Sequence, residues 1–212
     1  MSVPALTHIF IDVDDTLYPS DAGIWPLITD RIHAYMHERM GFDSQEIPSL
    51  RDRLLASYGT TLRGLQLEFG ADHLDYLRYV HDLDLSAQLS PDPVLEQALS
   101  SLPQEKWVFT NASRAHAQRC MAHLGVSHCF TGIVAIEDTN PWCKPQIQAF
   151  ERGLEMAGSP LPQNCAFVDD RADNLDTAAG LGMRVVLVNP QPLNGYTTIP
   201  QLAQLPLVLP LS

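Results

Sequence analysis

Three apolar runs in this sequence each end in side chains that could act on a substrate. His8-Ile9-Phe10-Ile11 leads into Asp12-Val13-Asp14-Asp15-Thr16, Lys106-Trp107-Val108-Phe109 into Thr110-Asn111, and Cys165-Ala166-Phe167-Val168 into Asp169-Asp170. Cys143-Lys144-Pro145 lies between the second and the third. Carboxylates crowded at the end of a buried strand repel one another and resist desolvation, so such a cluster asks for a cation or a shared proton. Metal-assisted phosphoryl transfer is the chemistry that fits, and it needs groups gathered from several parts of the chain.

The elements that would gather them follow from the apolar pattern. Residues 7–13 are apolar on both parities, which predicts a strand buried on both faces of a parallel sheet. Apolar residues at helical spacing follow over 24–40, with further helical patterns near 44–57, 60–69 and 72–81. The roughly 65 residues after the first strand thus lack a convincing strand and exceed an ordinary crossover. They read as a helical insertion, a cap over the site. Ser90-Pro91-Asp92-Pro93 marks the return to the core. Helices are then expected over 94–102, 114–124, 146–157 and 173–181, and strands over 106–110, 132–136, 165–168 and 184–188. Residues 137–142 read as a loop, and the proline-rich tail as irregular structure with at most a short helix. Alternating strands and helices give an α/β fold with a parallel sheet. The expected division is an α/β core over 1–19 and 88–212 and an all-helical cap over 20–87. In an open parallel sheet, ligands sit beyond the carboxyl ends of the strands, where one pocket could collect all these groups.

Composition narrows the function. The 212 residues carry 25 acidic and 13 basic side chains, a formal net charge of −12. That balance argues against nonspecific binding to nucleic acid polymers or anionic membranes, but not against a small anionic substrate. Cys120, Cys129, Cys143 and Cys165 form no CxxC pair and read as reduced thiols. No signal-peptide pattern opens the chain, and no apolar run approaches the ~20 residues of a membrane span. The expectation is a cytoplasmic protein, monomeric or homodimeric. Its eight histidines show no metal-binding spacing.

The order of the motifs resembles the haloacid dehalogenase (HAD) superfamily phosphatases, whose core is a Rossmann-like parallel sheet. Asp12-Val13-Asp14-Asp15-Thr16 matches their DxDxT motif. Phe109-Thr110-Asn111 resembles the second motif, Cys143-Lys144-Pro145 the lysine motif, and Phe167-Val168-Asp169-Asp170 the acidic fourth motif. The resemblance spans residues 12–170. A narrower one, to the pyrimidine 5′-nucleotidases, rests on four stretches. They are Asp14-Asp15-Thr16-Leu17-Tyr18, Tyr58-Gly59-Thr60-Thr61-Leu62-Arg63-Gly64-Leu65, Phe109-Thr110-Asn111-Ala112, and Phe167-Val168-Asp169-Asp170-Arg171 with Asn174.

The resemblance implies a Mg²⁺-dependent phosphomonoester hydrolase, acting through an aspartyl-phosphate on a small phosphate ester, a nucleoside 5′-monophosphate above all. It makes Asp12 the nucleophile and Asp14 the general acid and base. Thr110 and Lys144 complete the catalytic set. Thr110, Asn111, Lys144 and the cap residue Arg63 would contact substrate. The metal would be held by Asp12, Asp14 through its carbonyl, and Asp170, with Asp169 behind them. The choice between Asp169 and Asp170 as direct ligand stays open. Asp12 and Asp14 have a rival reading as turn residues, Thr110 as a helix cap, and Arg63 as a solvated arginine. Tyr18 and Trp25 read as packing residues before base-stacking ones. Arg114 is a further candidate contact.

Competing functions separate on the same residues. A dehalogenase needs neither an acid for an alkoxide nor magnesium, so Asp14 and the Asp169-Asp170 pair speak against it. A phosphatase for a sugar phosphate, or a phosphomutase, would share all four motifs. A phospho-accepting signalling module would place its lysine after its paired acids, whereas Lys144 precedes Asp169-Asp170.

Overall fold

The computed structural model describes residues 5–209. Six parallel strands form one sheet in the order β3-β2-β1-β4-β5-β6, where β1 is His8–Ile11, β2 Glu105–Phe109, β3 Gly132–Val134, β4 Cys165–Asp169, β5 Arg184–Val188 and β6 Thr197–Ile199. The expected α/β fold with a parallel sheet is what the chain adopts. The chain leaves β1 toward β2 and β3 on one side, then returns to β4, β5 and β6 on the other. The ends of β1 and β4 therefore border the crevice where strand order reverses, the usual ligand position in such sheets.

Side-chain alternation along the central strands builds two cores. Phe10 points to one face, where Phe109, Phe150 and Phe167 pack edge to face at centroid distances of 5.0–6.3 Å. Ile9 and Ile11 point to the other, with Val108, Val168 and Val186. Helices α5 (Pro93–Ser101), α6 (Arg114–Leu124), α7 (Ile136–Thr139), α8 (Ile147–Met156) and α9 (Ala172–Gly180) connect the later strands.

Four helices lie between β1 and α5: α1 (Ile24–Glu38), α2 (Ile47–Tyr58), α3 (Thr61–Phe69) and α4 (His73–Val80). Thr60 and Asp72 begin α3 and α4 by accepting the N–H groups of Arg63 and Asp75. Gly59 and Gly70 end α2 and α3 in the left-handed conformation. Gly64 allows α2 and α3 to approach: an added Cβ would lie 2.7 Å from Cδ2 of the fully buried Leu54. Gly64→Ala is expected to lower stability by about 1–3 kcal/mol through overpacking, read as a drop in the urea midpoint at unchanged slope.

Two details differ from the sequence reading. The third strand stops at Val134, and α7 occupies part of the expected loop, because the Asp138 carboxylate accepts the Ala135 N–H at 2.8 Å and starts a turn of helix. The tail contains β6, three residues paired to β5, and a 3-10 helix over Leu202–Leu207. A three-residue strand followed at once by Pro200 is too short to show a period. Among the described residues no helix is long and apolar enough to cross a membrane, and all four cysteines are free.

Candidate active site

Strand register sets the distances. Ile11 pairs with Val108 on one side and Val168 on the other, so Asp12 leaves β1 level with Phe109 and Asp169. The Asp12 N–H still donates to the Val168 carbonyl at 3.0 Å, which extends the ladder by one residue and fixes the carboxylate. Asp15 then takes φ 59, a left-handed turn that aspartate tolerates better than most residues. Thr16 and Leu17 return N–H bonds to Val13, which folds Asp14 back beside Asp12 at the carboxyl end of the sheet.

Lys144 is the hub. Its ammonium is 1% exposed and has three protons, all donated: to Asp12 Oδ1 at 2.8 Å, Asp169 Oδ2 at 2.7 Å and the Phe109 carbonyl at 2.8 Å. Burial would depress its pKa, but the carboxylates of Asp12 and Asp169 outweigh burial and hold it above the ordinary lysine value. Asn111 clamps the lysine loop. Its Nδ2 donates to the Lys144 carbonyl and its Oδ1 accepts the Lys144 N–H, both at 2.9 Å. On the far side, the Thr177 hydroxyl of α9 donates to the Pro145 carbonyl at 2.8 Å. Gly59 lies against the lysine loop, where an added Cβ would be 3.4 Å from the Lys144 carbonyl.

The two acids at the end of β4 differ sharply. Asp169 is fully buried and saturated with donors: Lys144, the Asn174 amide at 3.0 Å and the Arg171 N–H at 2.9 Å. Among the described residues, the Asp170 carboxylate has one long hydrogen bond, from the Thr16 hydroxyl at 3.5 Å. Oxygen atoms of Asp12, Asp169 and Asp170 lie within 4.8 Å of one another. Burial pushes the Asp12 carboxyl well above its ordinary value; Lys144 opposes this, while Asp169, Asp170 and Asp14 add to it. Asp170 is pushed up to about 7 by burial and then by Asp169, against Lys144. One lysine against three carboxylates leaves the cluster short of positive charge, and its remaining donors are all oxygens. That set fits a hard divalent cation such as Mg²⁺.

Asp14 stands apart from the lysine. Burial alone would raise its pKa, but His116, by charge and hydrogen bond, and the Tyr18 hydroxyl bring it down to about 2. His116 Nε2 lies 2.8 Å from Asp14 Oδ1, and Tyr18 donates to the same oxygen. His116 also stacks on His81, with centroids 4.8 Å apart. Burial would lower the His116 pKa, yet Asp14 lifts it to about 10; burial and His116 together hold His81 near 3.

These groups open into one cavity of about 340 Å³ between the helical segment and the sheet. Asp12, Asp14, Thr110, Asn111, Lys144 and Asp170 line its floor. The Thr110 hydroxyl accepts the Ala112 N–H at 2.9 Å and keeps its own proton to donate. The opposite wall includes Trp25, Arg51, Leu55 and Tyr76. Arg63 is placed differently from the other candidates. Its guanidinium sits 5.1 Å from the Trp142 ring, and it is not among the lining residues. Arg114 pairs with Asp138 at 2.5 Å and also lies outside the lining. Tyr18, read as a packing residue, is 2% exposed and bonds to Asp14.

Sequence reasoning missed His116, His81 and Arg51. His116 lies 102 residues from Asp14 in a helix, and nothing in local spacing links the two.

Residues 6–182 match the family described as haloacid dehalogenase-like hydrolase. Phosphate metabolism protein 8 of Saccharomyces cerevisiae is 30% identical over an alignment 201 residues long that covers 87% of this chain and 62% of that protein. The chain thus spans less than two thirds of that relative's length. Among solved structures, CbbY from Rhodobacter sphaeroides in complex with phosphate has a TM-score of 0.64 at 17% identity, covering 95% of this chain and 96% of that one. The HAD hydrolase YfnB from Bacillus subtilis, bound to magnesium, has a TM-score of 0.60 at 16% identity, covering 95% and 97%. At such identities the two structures speak for the fold alone. A family match over 177 of 212 residues decides membership: the chain belongs to the haloacid dehalogenase-like hydrolase family.

Proposed function

We propose that this hydrolase is a Mg²⁺-dependent phosphomonoesterase that forms an aspartyl-phosphate on Asp12 and acts on nucleoside 5′-monophosphates. The observation that carries the reading is the convergence of Asp12, Lys144 and Asp170 in one cavity with a separately held Asp14. The Asp12 and Asp170 carboxylates and the Asp14 carbonyl would hold the metal, with the saturated Asp169 fixing Lys144 behind them. Mg²⁺, when bound, supplies charge neutralisation for the phosphoryl oxygens and orients the attack. Two proteins of the same fold bind such groups: YfnB is bound to magnesium and CbbY to phosphate.

The chain's own groups divide the work. Asp12 attacks phosphorus while Lys144 offsets the charge on both partners. Thr110 donates its hydroxyl to a phosphoryl oxygen. Asp14 protonates the leaving alkoxide and then takes a proton from the water that hydrolyses the intermediate. The arriving phosphate brings negative charge beside Asp14, which favours its protonated form. A dehalogenase has no use for that proton, and Asp14 is the residue that separates the two chemistries.

Substrate class rests on the cavity wall. Trp25 and Tyr76 put two aromatic side chains in the lining, and Arg51 has a buried Nε without a partner among the described residues. Arg63, braced on Trp142, is assigned to the rim. A panel of phosphate esters with and without Mg²⁺ tests the whole reading. Expected are free-phosphate release that needs the metal, and higher kcat/KM for nucleoside monophosphates than for sugar phosphates. Arg51→Leu is expected to raise the nucleotide KM roughly ten-fold, the loss of one charged hydrogen bond. No nucleotide preference would overturn the substrate class, and phosphate retained on an isomerised sugar would identify a mutase.

A further inference from the structure

Asp14 has two oxygens, and the structure treats them differently. Tyr18 Oη and His116 Nε2 both bond Oδ1. No group among the described residues bonds Oδ2, and Asp14 lines the cavity. The two partners are well anchored. Tyr18 is 2% exposed, four residues beyond Asp14 on the far side of the left-handed turn at Asp15. His116 is fully buried in the first turn of α6, where the Ser113 hydroxyl accepts its N–H at 3.2 Å. Its ring is held by stacking on His81 and by Cys120, whose Sγ is 3.5 Å from Nε2.

A carboxylate that shuttles protons must present one oxygen at one place. Free rotation about its last bond exchanges the two oxygens, and each rotamer off the productive geometry loses rate. Two donors on Oδ1 stop that rotation. They also make Oδ1 the poorer base, because its lone pairs are already engaged. We propose that His116 and Tyr18 are positioning residues that pin Asp14 Oδ1, so that protons are given and taken only at Oδ2, facing the reacting phosphate. The inference rests on the reading of Asp14 as proton carrier. In the first step the ester P–O bond breaks as the Asp12–phosphorus bond forms, and the Oδ2 proton passes to the leaving oxygen. In the second, water attacks phosphorus, its proton returns to Oδ2, and the Asp12–phosphorus bond breaks. Neither His116 nor Tyr18 touches substrate.

Leaving-group dependence tests this, because an acidic phenol departs without a proton and an alkoxide does not. kcat/KM is measured for 4-nitrophenyl phosphate and for an alkyl ester (uridine 5′-monophosphate, or glycerol 3-phosphate if no nucleotide is turned over). His116→Leu and Tyr18→Phe are each expected to lose at least about ten-fold more on the alkyl ester than on the aryl ester, a fraction of what a general acid contributes. His116→Gln, which can return an amide N–H to Oδ1, is expected to restore much of the ratio. Equal losses on the two esters in Tyr18→Phe, which removes one oxygen atom and keeps the ring, would overturn the inference even if His116→Leu does not fold. Asp14→Asn separates the two levels. If it changes the ratio while the Tyr18 and His116 variants do not, the proton carrier stands and its positioning by these residues falls. If Asp14→Asn itself leaves the ratio unchanged, the proton-carrier reading falls and the inference with it.

Discussion

Asp12→Asn is expected to abolish phosphate release, by roughly 10⁴-fold or more, while the protein stays folded. The amide cannot form the acyl phosphate, and no neighbouring group can replace it. Asp169 is enclosed by Lys144, Asn174 and the Arg171 N–H, and Asp14 has Oδ1 held by His116 and Tyr18 and is the proton carrier of the proposed reaction. Stability should survive because the asparagine carbonyl can still accept from Lys144. Without metal, the variant should unfold no earlier than the parent, since one of the mutually repelling carboxylates is gone. With Mg²⁺, the parent should gain more in thermal midpoint than the variant, which has lost a ligand. Malachite-green phosphate assays and thermal melts with and without the metal read these effects. Retained turnover in a pure preparation would sink the aspartyl-phosphate mechanism.

The floor of the site was legible in the sequence and the wall was not, for a physical reason. Asp12, Thr110 and Asp169 are one residue beyond or at the end of strands whose apolar runs are unmistakable, and parallel strands in register must bring such ends together. Lys144 could be found only by its order relative to them, since it sits in a loop with no periodicity. The stretch 58–65 stands out in the sequence only as a likeness, and the structure gives it a physical role: Gly59 lies against the lysine loop, Thr60 caps α3, and Gly64 lets α3 approach Leu54. Which side chains of α1–α4 face the cavity depends on how helices rotate about their axes, and a helical stripe does not fix that rotation against a partner of unknown shape. Arg63 and Arg51 show the consequence. Both are arginines on the helices between β1 and α5, and the one singled out lies outside the cavity lining while the other borders the cavity. His116 was invisible because its meaning comes wholly from a contact across 102 residues.

Lys144→Met should be the most destabilising substitution at the site. Methionine nearly matches the lysine stem in length and keeps its packing between Phe109 and Phe167, whose ring centroids lie 5.4 and 5.3 Å from Nζ. What it removes is, among the described residues, the only ammonium bonded to Asp12 and Asp169, together with the donor to the Phe109 carbonyl. Breaking a buried ion pair from one side leaves uncompensated charge, a loss of about 3–5 kcal/mol. Here two carboxylates are stranded, so the upper part of that range is expected in urea unfolding without metal. Mg²⁺ should recover part of the loss, because a second cation can face the same carboxylates. Turnover should not recover with it. With the charge on Asp12 and the phosphoryl oxygens no longer offset from the lysine side, kcat should stay about 10²–10³-fold below the parent at saturating metal. A variant as stable as the parent without metal would mean that the cluster does not need the lysine's charge. Full turnover at high Mg²⁺ would mean that Lys144 serves the fold alone.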